Sequence, residues 1–77
     1  MYKLKDNVTD EMLKSVGFNN NSYGALQRNT NDGKVIFADI DTKIIYMKEI
    51  SSKGFKPTEM HSSYIRDLFE KGLVELI

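Results

Sequence analysis

The sequence predicts a small α+β domain in which a three-stranded antiparallel meander packs against a C-terminal helix, with a short N-terminal helix closing the core. Two consecutive segments, KVIFADI and KIIYMKEI, are rich in β-branched and aromatic residues and are joined by a tight Asp-Thr turn. A capped helix signal precedes them, and a helical repeat of apolar residues follows. The expected order is α-β-β-β-α, in one domain covering residues 1–77.

The first helix is predicted from its two ends. Thr9 can accept hydrogen bonds from the first free amides of a helix that begins at Asp10. Gly17 can adopt the left-handed conformation that ends a helix, and Phe18 can then fold back towards Leu13 in a Schellman motif. This spacing predicts a helix of about two turns.

Three strands are predicted in the middle of the chain. The segment 23–28 is the weakest of them because Gly24 lowers its strand propensity. Asp32 and Gly33 favour a hairpin turn that leads into strand 34–40. Strand 44–50 follows, which completes an antiparallel meander.

The composition of SSKGFKP predicts a loop, and Pro57 disfavours helix at Lys56. The last helix is therefore predicted to begin after this loop, with Thr58 or Ser62 as its N-cap. Asp67 and Lys71 are expected to form an i,i+4 pair on its exposed side. Gly72 ends the helix in the same way as the glycine of the first helix, and whether residues 74–77 pair as a short strand is left open. The apolar residues of the helical repeat are Met60, Tyr64, Ile65, Leu68 and Phe69.

Composition narrows the range of functions. The 11 basic and 11 acidic side chains cancel, which removes a long-range field towards nucleic acid or an anionic membrane. The absence of cysteine excludes thiol catalysis and thiolate metal sites, and no apolar run approaches the ~20 residues that cross a bilayer. We therefore expect a cytoplasmic protein with no membrane contact.

No residue pattern predicts catalysis, a cofactor, a metal or a small-molecule substrate. His61 is the only histidine, and no spacing places an acid beside it to orient the ring. Asp39, Asp41 and Glu49 could gather near the central hairpin, but they lack the pattern of a calcium loop. The expectation is a protein that is not an enzyme.

The strongest functional signal is that both predicted central strands are apolar on both faces. Two short helices can hardly cover both sides of such a sheet, so apolar surface should remain for a protein partner or a second copy. The segment VELI offers a second route, as an exposed strand edge. The partner-binding residues predicted for the sheet are Val35, Phe37, Ile45 and Met47.

The alternative function is binding of nucleic acid by segment 46–57, where lysines alternate with aromatic residues. Stacking on aromatic rings and neutralisation of phosphates both need that mixture. The zero net charge of the chain argues against this alternative. Its predicted contact residues are Lys48, Lys53, Phe55 and Lys56.

The two ends of the chain, MYKLKDNVTDEMLKSVGF and YIRDLFEKGLVELI, carry a resemblance. Together they resemble short uncharacterised proteins of Gram-positive bacteria and their prophages, which share the glycine-aromatic helix end, a strand-rich middle and a final helix that leaves through Leu-Val. The resemblance implies a small accessory or host-modulating protein of a mobile element. It implies no functional residues.

Overall fold

The computed structural model describes residues 2–21 and 25–77, except the side chains of Ser51 and Phe55. Two helices and a 3-10 turn lie between short strands in this part of the chain. The helical elements are α1 (Asp10–Lys14), the 3-10 turn Ser62–Ile65 and α2 (Arg66–Glu70). The strands are β1 (Tyr2–Leu4), β2 (Asn19–Asn20), β3 (Leu26–Asn29), β4 (Lys34–Asp39), β5 (Ile44–Ser51), β6 (Gly54–Thr58) and β7 (Val74–Leu76).

The fold class predicted from the sequence is wrong, because the described residues form a seven-stranded antiparallel sheet rather than a three-stranded meander on a helix. The sheet has the order β2-β3-β4-β5-β1-β7, and β6 also pairs with β5. Strands of two or three residues, such as β1 and β2, are too short to show any periodicity in sequence. The short strand left open for residues 74–77 is present as β7. The predicted strand 23–28 begins at residues that lie outside the described ranges.

The prediction for the first helix is confirmed. Thr9 Oγ1 accepts a hydrogen bond from the Met12 amide at 3.3 Å. At the other end, the Phe18 amide donates to the Leu13 carbonyl at 3.1 Å, and Gly17 has a φ of 97°. This is the Schellman geometry that the glycine was expected to permit. Leu13 and Phe18 are thereby directed into the core.

The C-terminal helix is shorter than predicted. It consists of the four-residue 3-10 turn followed by the five-residue α2, and no side chain caps its start. Its end is as predicted, because the Leu73 amide donates to the Leu68 carbonyl at 2.9 Å after Gly72. Asp67 binds Arg28 of β3 at 2.7 Å, although the sequence had suggested Lys71 as its partner.

The segment that forms β6 was predicted from its composition to be a loop. Pro57 lies opposite Lys48 in the register. The Ile50 amide donates to the Gly33 carbonyl, on the side of β5 that faces β4. Every second residue of β5 before it, which includes Lys48, therefore also directs its amide away from β6. Pro57 therefore occupies a pair that needs no amide donor, which is where an edge strand tolerates proline.

Pairing register divides the sheet into two faces, because residues directly opposite each other share a face. Ile36 lies opposite Met47, and Ala38 lies opposite Ile45. All four are buried in the hydrophobic core, together with Leu68 of α2 and residues of α1. We call this the inner face. The opposite, outer face carries Lys3, Val35, Phe37, Asp39, Ile44, Tyr46, Lys48 and Ile50.

Candidate functional site

The outer face exposes large apolar side chains along β5. Ile44 is 48% exposed, Tyr46 is 40% exposed and Ile50 is 55% exposed. Alternation of strand side chains explains the contrast with Ile45, which is 4% exposed and lies in the core. Both α1 and α2 place their buried residues against the inner face. The helices therefore cover one side of the sheet, and these three side chains face solvent on the other.

An aromatic pair stands at the centre of the outer face. Phe37 and Tyr46 are cross-strand neighbours whose rings stack with centroids 5.4 Å apart and an interplanar angle of 19°. The Lys48 ammonium lies 5.8 Å from the centroid of Phe37 and 5.7 Å from that of Tyr46. Cross-strand stacking and cation-π attraction hold these three side chains in a fixed arrangement.

The structure separates the four predicted partner-binding residues. Phe37 and Val35 lie on the outer face, where Val35 is buried opposite Lys48. Ile45 and Met47 lie on the inner face and are buried in the core. The continuous apolar sequence of β5 does not show which residues point to which face of the sheet. The pairing of β5 with β4 does show this. Ile44, Tyr46 and Ile50 were not predicted as contact residues, although they lie an even number of positions apart and therefore share a face of the strand.

The residues of the nucleic-acid alternative do not share one surface. Lys48 lies opposite Pro57, and Lys56 lies opposite Glu49, so the two lysines lie on opposite faces of the β5–β6 hairpin. Lys53 is in the hairpin turn. Phe55 pairs through its backbone with Ile50, and its side chain is outside the described part.

A cleft of about 470 Å³ opens beside the first residues of β5, at the end that begins with Ile44. It lies where β6 and β1 pair with successive parts of the same edge of β5. Apolar side chains and a few polar groups line it, a mixture found in ligand pockets as well as at interfaces. The lining residues include Tyr2, Ile44, Tyr46, Met60 and His61.

A polar cluster ties the β3–β4 turn to the 3-10 turn. Asp32 accepts hydrogen bonds from Lys34 Nζ at 2.9 Å, from Tyr64 Oη at 2.5 Å and from Thr30 Oγ1 at 2.5 Å. The hydrogen bonds from Lys34, Thr30 and Tyr64 lower the pKa of Asp32, and the hydrogen bond to Asp32 is the main cause that raises the pKa of Lys34. The cluster therefore stays charged at neutral pH and holds the turn in place.

The acidic residues considered for a metal are dispersed. Asp39 Oδ1 accepts hydrogen bonds from the amides of Asp41 and Thr42, which is a turn-stabilising role. Glu49 lies near the other end of β5, opposite Lys34. Within residues 2–21 and 25–77, no group of three or more His, Asp or Glu side chains could hold a metal ion. His61 is exposed at the start of the 3-10 turn.

Comparisons with family models, curated proteins and solved structures give no match. In the part of the chain that the structure describes, no helix combines the length and the apolar character needed to span a bilayer. Among the described residues, the outer face is the surface with the most exposed large apolar side chains.

Proposed function

We propose that the protein is a non-catalytic interaction module that binds another protein surface through the outer face of its sheet. The observation that supports this most directly is the exposure of Ile44, Tyr46 and Ile50 on one face. Large apolar side chains exposed together on one face of a sheet are typical of a contact surface. The resemblance of both chain ends to small bacterial and prophage proteins supports a role as an accessory or host-modulating factor.

The size of the patch suits a binding role. Side chains of this type that are about half exposed each present roughly 100 Å² of apolar surface, so the three together present roughly 300 Å². Covering that area contributes at most about 7 kcal/mol before the costs of association are subtracted. Such a surface supports specific binding of moderate affinity once polar contacts surround it.

The aromatic pair lowers the cost of binding because its geometry is already fixed. The stack between Phe37 and Tyr46 and the contact with Lys48 restrict all three side chains before a partner arrives. Ordering a flexible side chain at an interface costs about 0.5–1.5 kcal/mol. The ring faces are already used by each other and by the ammonium, which favours a protein partner over stacked bases.

Affinity capture with charged variants tests the proposal. Tyr46→Glu places a charge at the centre of the outer face, and Glu70→Lys changes a charge on α2, behind the other face. We expect a partner captured by the unaltered protein to be lost with Tyr46→Glu and kept with Glu70→Lys, while circular dichroism shows that both variants are folded. Capture of the same partner by both variants would refute the outer face as the binding surface.

A further inference from the structure

The strand β7 is the last strand at one end of the sheet, so one of its edges faces away from β1. The Lys5 amide donates to the Leu73 carbonyl at 2.9 Å, and Glu75 lies opposite Lys3. Because successive residues of an antiparallel strand direct their backbone groups to opposite sides, Val74 and Leu76 direct their amides and carbonyls outward. Outside the strand pairs, no backbone hydrogen bond within residues 2–21 and 25–77 involves either residue. Two donors and two acceptors are therefore open to a further strand.

The other free edges of the sheet are less suited to strand pairing. The free edge of β6 carries Pro57, which has no amide to donate, and Lys56 is next to it. Proline and lysine are residues by which natural sheets prevent pairing at an edge. At the far end of the sheet, β2 consists of two asparagines, which are poor strand formers. The β7 sequence Val-Glu-Leu contains none of these residues, so its edge stays competent to pair.

The side chains of β7 on the inner face favour apolar neighbours on an added strand. Val74 lies opposite Leu4 of the core, and Leu76 lies opposite Tyr2, so both are on the inner face. Val74 is buried, whereas Leu76 is 69% exposed. Tyr2 packs edge-on against Phe69 of α2, with ring centroids 5.6 Å apart. Apolar residues opposite Val74 and Leu76 would continue this apolar surface and would remove Leu76 from water.

Glu75, between these two residues, favours a basic neighbour. One of its carboxylate oxygens binds Lys3 Nζ at 3.1 Å, and its side chain is 43% exposed. A carboxylate can accept hydrogen bonds at both oxygens, so a basic side chain opposite Glu75 on an added strand also finds an acceptor. A second copy does not fit this edge. The antiparallel register that uses both outward residues of both copies places Glu75 opposite Glu75, and like charges directly opposite each other are destabilising.

We propose that the free edge of β7 binds an extended segment of another protein by antiparallel strand addition, and that this segment carries a basic residue between two apolar residues. The edge is separate from the exposed side chains of Ile44, Tyr46 and Ile50, so it is a second binding surface. Backbone hydrogen bonds at Val74 and Leu76 supply the affinity, and the alternation of side chains supplies the selectivity. So short an edge binds an isolated peptide weakly, with a dissociation constant on the order of 1 mM.

Nuclear magnetic resonance titration with the peptide acetyl-Thr-Val-Lys-Val-Thr-amide, up to about 5 mM, tests the proposal. We expect the amide signals of Val74 and Leu76 to shift until they saturate. The same peptide with glutamate in place of lysine should bind about fivefold more weakly, and Glu75→Lys should reverse that preference. The control Glu11→Lys makes the same change of charge at an exposed position on α1, so it should keep the preference for the lysine peptide.

Two changes test the backbone hydrogen bonds separately from the charges. Leu76→Pro removes one outward amide and leaves the pairing of Glu75 with β1, a substitution that an edge strand tolerates. Methylation of both valine amides of the peptide removes its donors without any change to the protein. Each change should weaken binding at least about fivefold. Absence of shifts at Val74 and Leu76, binding that neither change weakens, or equal affinity for the lysine and glutamate peptides would overturn the proposal.

Discussion

Replacing Arg28 by methionine should destabilise the fold strongly, because one guanidinium joins the sheet to both helical segments. Arg28 Nη1 donates to the Val16 carbonyl at 2.9 Å and to Asp67 Oδ2 at 2.7 Å. Nη2 donates to the Tyr64 carbonyl at 2.9 Å and to Asp67 Oδ1 at 3.2 Å. The guanidinium carbon also lies 5.1 Å from the centroid of Phe18. Methionine keeps an unbranched apolar side chain and loses all four of these hydrogen bonds.

The expected loss follows from these contacts. Each hydrogen bond from the guanidinium to a carbonyl contributes about 1 kcal/mol, since the guanidinium is only partly buried. The pair with Asp67 contributes about 1 kcal/mol, because that carboxylate is half exposed and solvent screens the attraction. The sum is about 3 kcal/mol, a large part of the roughly 4–12 kcal/mol typical of a chain of this length.

Urea denaturation followed by far-ultraviolet circular dichroism measures this loss. We expect Arg28→Met to lower the urea midpoint by roughly 2–3 M and the melting temperature by about 15 °C, with little change in the m-value. Arg28→Lys keeps the charge but loses the forked geometry of the guanidinium. Its stability should therefore lie between that of Arg28→Met and that of the unaltered protein. The control Arg66→Met removes the same group from an exposed position on α2. If both methionine variants differ from the unaltered protein by less than about 0.5 kcal/mol, the guanidinium does not join these elements.

Three further predictions test the register, the ion pair and the helix end. In urea melts, Ile45→Ala should lower the free energy of unfolding by about 3 kcal/mol, because Ile45 is buried in the core. Ile44→Ala should lower it by less than about 0.5 kcal/mol, because Ile44 is exposed. Hydrogen bonds from the Arg28 guanidinium lower the pKa of Asp67, so the free energy of unfolding should fall as pH drops below about 4. The urea midpoints at about pH 3 and about pH 6 should differ less in Asp67→Asn than in the unaltered protein. Gly17→Ala should cost about 1–2 kcal/mol by the same melts, and more than Gly72→Ala, because a φ of 97° is less accessible to alanine than a φ of 70°.

The features predicted correctly from sequence are those that depend on neighbouring residues. The N-cap at Thr9 and the glycine ends of both helices involve hydrogen bonds across at most five positions. The β4 and β5 strands also lie within one residue of their predicted bounds, because their apolar runs are long enough to show. Local chemistry decides these features, so the sequence displays them directly.

The features that were missed depend on residues far apart in the chain. Arg28 and Asp67 are separated by 39 positions, and a nearer lysine offered an ordinary local partner for the carboxylate. The short strand β1 exists because β5 and β7 lie on its two sides, and its own three residues carry no strand signal. The same limit applies to the candidate site. The apolar run of β5 does not reveal whether Ile44 or Ile45 points outward until β4 fixes the register.

Small size explains why only one face of the sheet is covered. A chain of 77 residues has few apolar side chains to distribute, and the two short helical segments place theirs against the inner face. The outer face is left with an aromatic pair, exposed isoleucines, Lys48 and a buried Val35. Association through this face would remove that surface from water and would stabilise the folded state by mass action as the concentration of the partner rises. A proposed binding surface and a source of stability would then be the same set of side chains. Substitutions at Tyr46 that weaken association should therefore also reduce the rise in melting temperature that a bound partner produces.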